Sequence, residues 1–552
     1  MEKPWLDHYD QGVPASLDYP DCTIFDLLDR SAGGYPQRPC TILNDQAITY
    51  HQMKDITNHL AAAFHHLGVE KGDRVGLLLP NLPQFVMVYY ALLKIGAVVV
   101  AINPQYTAPE LAYQVNDAGT VLIIVMADRY EMVRSIRSQT CIHRVVLVDP
   151  QQEILHPDAS LPKKNHKDSD VPFVLQQGDL WLHHLVAGCT SQERPNISVG
   201  PDDVALFQYS GGTTGVSKGV VATHRAVVSN VYQFDAWIVN SIEGEEMMGL
   251  AIPLYHVYGM VIGLNLGIKM AASLVLVSDP RDIKDVLHKL DKYRVTIYPG
   301  VPAMYNAINL DPEVQAGKYD LSSIKACISG SAPLAPQTKE QFEQITGGRL
   351  VEGYGLSEAP TASHCNPVLG ENRTGSIGLP LPDVDCRIVD LEDEQTLLPQ
   401  GMIGELVIQG PMLMKAYHNM PQETAITLRK GWLYTGDIAY MDEDGYFYIV
   451  DRKKDLIKPG GLQAWPREIE EVLSQHPQVL EAGVAGIPDP IQGEAVKAWV
   501  VLQPGQQVSV EELLKWCRRS LAPYKVPKQV AFVDHLPRNA VGKVLRRELA
   551  DS

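Results

Sequence analysis

Short apolar runs alternate with amphipathic stretches of helical length over the first third of the chain. VGLLLP (75–80) predicts a strand, LPQFVMVYYALLKIG (82–96) a helix and AVVVAIN (97–103) the next strand. PELAYQVNDAG (109–119) and EMVRSIRSQ (131–139) read as helices, VLIIVMAD (121–128) and VVLVD (145–149) as strands. Such alternation predicts a parallel sheet with helices on its faces. The most apolar segment, 86–102, is interrupted by Lys94 and Gly96 and falls short of the ~20 residues of a membrane span. It reads as a buried helix turning at Gly96 into a buried strand.

The polar stretch HPDASLPKKNHKDSD (156–170) predicts a surface loop. Strand-like VALFQYS (204–210) follows, then further α/β pattern in SLVLVSD (273–279), VTIYPGVP (295–302) and IKACISGSAPL (324–334). From about 370 to 450 strand-rich segments punctuated by Gly and Pro predict a small barrel or distorted sheet. After DRKKD (451–455) the amphipathic PREIEEVLSQH and SVEELLKWCRRSL and the strand-like EAVKAWVVLQ and KQVAFVD predict a compact α+β unit. The expectation is α/β: a large domain over 1–450 containing the β-rich part, a hinge at 451–455, and a small mobile α+β domain over 456–552.

Composition narrows the class. With 552 residues, 45% of them hydrophobic, the chain builds more than one core. A formal charge of −18 argues against a nucleic-acid coat, which needs a broad basic surface. Eight cysteines are scattered singly, with no CxxC, which fits a reduced cytoplasmic setting. Seventeen histidines show no zinc-like spacing; His65–His66 and His183–His184 read as surface pairs. The N-terminal MEKPWLDHYDQG lacks the apolar core of a signal peptide.

The stretch YSGGTTGVSKG (209–219) carries the first chemistry. Glycines let backbone N–H groups approach phosphate oxygens, small hydroxyls add donors, and Lys218 supplies charge. Ser217 precedes Lys218, so the P-loop pattern fails, and GxGxxG is absent. A polyphosphate loop is the functional reading; a flexible surface loop is the plain one.

EGYGLSE (352–358), WLYTGDIAYMDEDGYFYIVDRKKD (432–455) and PRNAVGKVLRREL (537–549) follow in order. Together with SGGTTGVSKG and YKVPK they resemble the adenylate-forming superfamily over nearly the whole chain, most closely its bacterial long-chain fatty acid–CoA ligases. The resemblance implies a two-step reaction. The carboxylate of a medium- to long-chain fatty acid attacks the α-phosphate of ATP, giving acyl adenylate and pyrophosphate; the thiol of CoA then displaces AMP. Cation and Mg²⁺ contacts would offset the charge of one anion attacking another.

By that resemblance Thr213, Thr214 and Lys218 hold the β- and γ-phosphates, although Gly211 and Ser217 replace the usual Ser and Pro. Glu358 matches the magnesium-associated carboxylate, and Tyr354, in Tyr354–Gly355, the aromatic on adenine. Ser357 stands near the α-phosphate, and Gly330 and Ser331 begin the loop along the adenine. Asp437 matches the carboxylate on the ribose diol, with Arg452 on the same sugar. His256, in PLYHVYG, matches a histidine near the acyl site, where it would shape access or sit near the acyl carboxylate; a core histidine is the plain reading. Lys543 would reach the reacting carboxylate and α-phosphate from the small domain, which then swings about Lys454. Gly460 and Gly461 would approach the pantetheine arm of CoA, although the adjoining LQAWP departs from the common pattern.

The expected partners are fatty acid, ATP and CoA, and no nucleic acid. Weak peripheral membrane association and a homodimer stay open. The rival readings are an aryl- or amino-acid-activating enzyme that loads a free-standing carrier protein, and a non-catalytic nucleotide-binding regulator.

Overall fold

The computed structural model describes residues 3–149, 173–189, 193–210, 217–490, 492–538 and 544–550. The 156–170 loop expectation lies outside them. An eight-stranded sheet has the order Ala416–Tyr417, Lys218–Thr223, Val204–Ser210, Val98–Ala101, Arg74–Leu78, Leu122–Met126, Arg144–Val148, Leu180–Trp181. From Val204–Ser210 to Leu180–Trp181 the strands run parallel, as the alternation predicted. Lys218–Thr223 turns back antiparallel on Val204–Ser210, so the glycine-rich stretch connects two paired strands.

The helix Pro83–Lys94 is buried at every residue from Gln84 onward, as a helix apolar on all sides must be. Gly96, at φ +71°, turns the chain into the buried strand Val98–Ala101. Lys94 is fully buried, and its ammonium donates to Asp29 (3.0 Å), Thr57 (3.0 Å) and Asn58 (2.7 Å). Burial pushes this ammonium down and Asp29 offsets the shift. The charge fastens three helices together: Ile24–Gly34, Tyr50–His66 and its own.

Two four-stranded sheets follow, one built on Met247–Leu250 and Ser273–Leu276, the other on Ala326–Ser329 and Arg349–Tyr354. VTIYPGVP joins them through isolated bridges, Met248 to Ile297, Ile297 to Ala326 and Gly300 to Ser329, without becoming a full strand. Pro299 has no N–H to donate to a ladder.

The β-rich region takes the distorted-sheet form: five antiparallel strands with bulges at Glu405/Val407 and Ile438/Ala439. Its last strand, Phe447–Arg452, leads into a three-stranded sheet, Val479–Asp489, Gly493–Leu502 and Gln529–Phe532. The predicted helices Pro466–Ser474 and Val510–Cys517 accompany this sheet, and Ile457, Ile469, Leu473, Val484, Val500 and Leu513 make a separate core. Cys22, Cys40, Cys141, Cys327, Cys365, Cys386 and Cys517 are free thiols. Among the described residues, no helix is long and apolar enough to cross a membrane.

Candidate active site

A cavity of about 610 Å³ opens where the strand Arg349–Tyr354, the β-rich sheet and the 452–454 segment meet. Its polar wall rests on a cluster drawn from three distant parts of the chain. Tyr354 donates its phenol to Asp437 Oδ2 at 2.5 Å, and Arg452 Nε lies 2.7 Å from Asp437 Oδ1. Asp437 is almost fully buried, so both of its oxygens are held and its charge is matched. Burial and the adjacent carboxylate hold the Tyr354 phenol well above its usual range, so it stays a donor. Asp437 and Arg452 face each other because they pair across the strands Trp432–Met441 and Phe447–Arg452.

The loop after Tyr354 explains its glycine. A Cβ on Gly355 would sit 1.7 Å from the carbonyl oxygen of Thr361. Thr361 is fixed in turn, its N–H donating to Asn230 Oδ1 at 2.8 Å. Ser357 and Glu358 continue this wall, and Gly330 and Ser331 face it from the turn after Ala326–Ser329. Ser331 adopts φ +71°, a left-handed conformation unusual for a serine.

On a third side, Lys218 Nζ lies 2.6 Å from Glu423 and 5.1 Å from the centre of the Tyr417 ring. The Tyr417 phenol donates to Glu358 Oε1 at 2.7 Å. Tyr417 arrives there because Ala416–Tyr417 pairs with the strand that begins at Lys218.

The same cavity is also lined by the apolar Phe234, Val257, Ile262 and Ile328. His256 lines the cavity beside Val257. Its Nδ1 accepts from the Tyr258 N–H at 3.3 Å, which leaves the proton on Nε2, and burial pushes the imidazole down to about 4. It is therefore a neutral donor at physiological pH.

Among the described residues no group of three His, Cys, Asp or Glu side chains could hold a metal ion. A single carboxylate, Glu358, beside hydroxyl groups fits Mg²⁺ held mostly by phosphate oxygens and water, and does not fit an all-protein metal cage.

The AMP-binding enzyme family matches residues 28–418, and its C-terminal domain matches residues 468–543. This chain belongs to the AMP-binding enzyme family. The AMP-binding enzyme is 40% identical to a long-chain-fatty-acid–CoA ligase of Bacillus subtilis, covering 100% of this chain and 98% of the relative. It is 36% identical to one of Escherichia coli O6:H1 over the same shares. Among solved structures, ATP-bound MatB from Rhodopseudomonas palustris superposes with a TM-score of 0.85 at 28% identity, covering 96% of this chain and 99% of that one. The apo form of MatB gives a TM-score of 0.75 over the same shares.

Of the residues singled out in the AMP-binding enzyme's sequence, Lys218, His256 and the 330–331 and 354–358 positions gather on this cavity, with Arg452 and Lys454. Asp437 stands directly behind Tyr354 and Arg452. Gly460 and Gly461 are exposed in the turn Pro459–Gly461, away from the cavity wall. Thr213, Thr214 and Lys543 lie outside the described residues. Sequence reasoning missed Tyr417, Glu423, Glu405 and Lys453, all of which line the cavity. Lys453 joins Glu394 (2.6 Å) to Glu405 (2.7 Å), and Glu405 receives the Gly436 N–H at 3.0 Å, which steadies the turn before Asp437. The adjacency of Lys453 to Arg452 was the one available signal for it.

Proposed function

We propose that the protein is an ATP-dependent long-chain fatty acid–CoA ligase that forms acyl adenylate and then acyl-CoA, releasing pyrophosphate and AMP. One observation carries this reading: a single cavity is lined by Tyr354 and Arg452, both held by Asp437, and by the apolar Phe234, Val257, Ile262 and Ile328. A ligand with an anionic head and a hydrocarbon tail meets both chemistries in that one cavity. The full-length likeness to long-chain-fatty-acid–CoA ligases supports that substrate class over aryl or amino acids, and over a regulator without catalysis.

Tyr354 carries the adenine, with Gly355, Gly330 and Ser331 shaping the slot. Asp437 accepts from the ribose hydroxyls, with Arg452 holding its charge in place. Thr213, Thr214 and Lys218 bind the β- and γ-phosphates, and Ser357 the α-phosphate. Glu358 is the residue that would hold Mg²⁺, whose chemistry there is to offset phosphate charge. His256, neutral, donates a hydrogen bond to the acyl carboxylate. Lys543 aligns that carboxylate with the α-phosphate and offsets the charge that develops between them. After adenylation the unit beyond residue 455 turns about Lys454, and Gly460 and Gly461 approach the pantetheine arm. The protein works in the cytoplasm on fatty acid, ATP and CoA.

CoA thioester formation measured against saturated acids of graded length tests the reading. Activity should peak at long chains. A peak with benzoate or with an amino acid would overturn the substrate class.

A further inference from the structure

The ammonium assigned to the triphosphate is already engaged. Lys218 Nζ holds Glu423 Oε2 at 2.6 Å, and both side chains face the cavity. Glu423 belongs to the helix Pro421–Thr427, which follows the strand Ala416–Tyr417, and that strand lies against the one beginning at Lys218. The pairing is therefore built in by the fold. Tyr417 keeps the two carboxylates of this wall on separate partners. Its phenol satisfies Glu358, while its ring lies under the Lys218 ammonium. Glu423 is thus left with Lys218 as its cation in the cavity.

A phosphate oxygen and the Glu423 carboxylate make the same kind of contact with Lys218, and they repel each other. We propose that Glu423 is an internal stand-in for phosphate: its carboxylate holds Lys218 in the absence of polyphosphate, yields it to ATP, and takes it back as pyrophosphate leaves. This rests on the reading of Lys218 as a phosphate ligand. The exchange keeps the number of ion pairs constant while the most highly charged product departs, so pyrophosphate is never bound against an otherwise unpaired lysine. The carboxylate is about half exposed, its side chain at 47%, against 19% for Lys218. The competition is therefore modest, a change of roughly two- to fivefold in affinity, the range of a partly solvated ion pair. A carboxylate that only fastened its helix would stabilise the fold and leave anion affinity unchanged.

The test uses full-length Glu423→Gln, Lys218→Met and the double variant. The readouts are calorimetric affinity for magnesium ATP and the inhibition constant of pyrophosphate. Glu423→Gln should tighten both by roughly two- to fivefold. In the Lys218→Met background the same substitution should change neither, because the carboxylate acts through that lysine. Unchanged or weaker binding in Glu423→Gln, with weakened binding in Lys218→Met, overturns the stand-in and keeps Lys218 as the phosphate ligand. Unchanged ATP affinity in Lys218→Met removes both.

Discussion

Arg546 Nη1 lies 2.9 Å from Asp451 Oδ1, so the last described helix is tied by charge to the end of the strand Phe447–Arg452. The same guanidinium reaches Asp455 at 3.2 Å and Glu470 at 2.7 Å. Asp451 is buried and also receives the backbone N–H groups of Arg452 and Arg467, each at 2.7 Å. Removing the cation would leave carboxylates without their main counter-charge. Arg546→Ala should destabilise the C-terminal unit by about 3 kcal/mol, the lower end for breaking a buried pair, since two N–H donors to Asp451 remain. Denaturant unfolding followed by tryptophan fluorescence, to which Trp465, Trp499 and Trp516 of that unit contribute, checks this.

Residues on either side of Lys454 are anchored. Arg452 is bound to Asp437 and Lys453 to Glu394 and Glu405; beyond it, Asp455 is bound to Arg546. Lys454 itself makes only a 3.9 Å approach to Asp455. Lys454 thus lies between two held stretches, in a turn closed by the Asp455 N–H on the Arg452 carbonyl oxygen at 3.0 Å, which a pivot there would open. Lys454→Pro should keep acyl-adenylate formation within about threefold and slow CoA transfer by roughly tenfold or more. Single-turnover assays of the two half-reactions separate these outcomes.

Asp437 stands buried behind Tyr354 and Arg452, two residues of the cavity wall. Asp437→Asn keeps the size of the side chain but removes the charge that Arg452 pairs with and that the proposed ribose contact would use. Charged hydrogen bonds of this kind correspond to a loss of roughly 10- to 100-fold in kcat/KM for ATP. Steady-state kinetics at saturating fatty acid measures it, and KM for the acid should move little.

Acid stability has a defined sign. Burial pushes the imidazoles of His224 and His256 down to about 4 and that of His364 to about 3. Unfolded histidine titrates near ~6.5, so below that pH the unfolded chain binds protons that the folded protein refuses. Their contribution is complete above pH ~6.5 and declines as pH falls towards the folded values. Glu352 opposes them: burial pushes it up to about 7, so the folded protein holds a proton there that the unfolded chain loses. Three imidazoles against one carboxyl leave a net loss of stability on going from pH 6.5 to 5. Urea midpoints across that window should fall, and His224→Gln should make the slope shallower by ~1.4 kcal/mol per pH unit.

The parallel sheet was legible because its strands are buried on both faces, as the unbroken apolar run of Val98–Ala101 reflects. The segment at 297–300 was less so, because Pro299 interrupts its ladder while the flanking residues still pair. Tyr354, Asp437 and Arg452 stood out only through their family motifs; no spacing in the chain announces that residues 354 and 437 touch. Gly355 carried a visible glycine, but its reason, the Thr361 carbonyl, exists only in the folded protein. Tyr417 and Glu423 gave no signal. A tyrosine in a short strand and a glutamate in a helical turn are ordinary surface residues until strand pairing sets them beside Lys218.

The most direct measurement is exchange of labelled pyrophosphate into ATP without CoA, with hexadecanoate, benzoate or an amino acid as the acid. The account predicts exchange that requires hexadecanoate and is abolished by Lys543→Ala. Exchange supported only by an amino acid, or undiminished in Lys543→Ala, would contradict it.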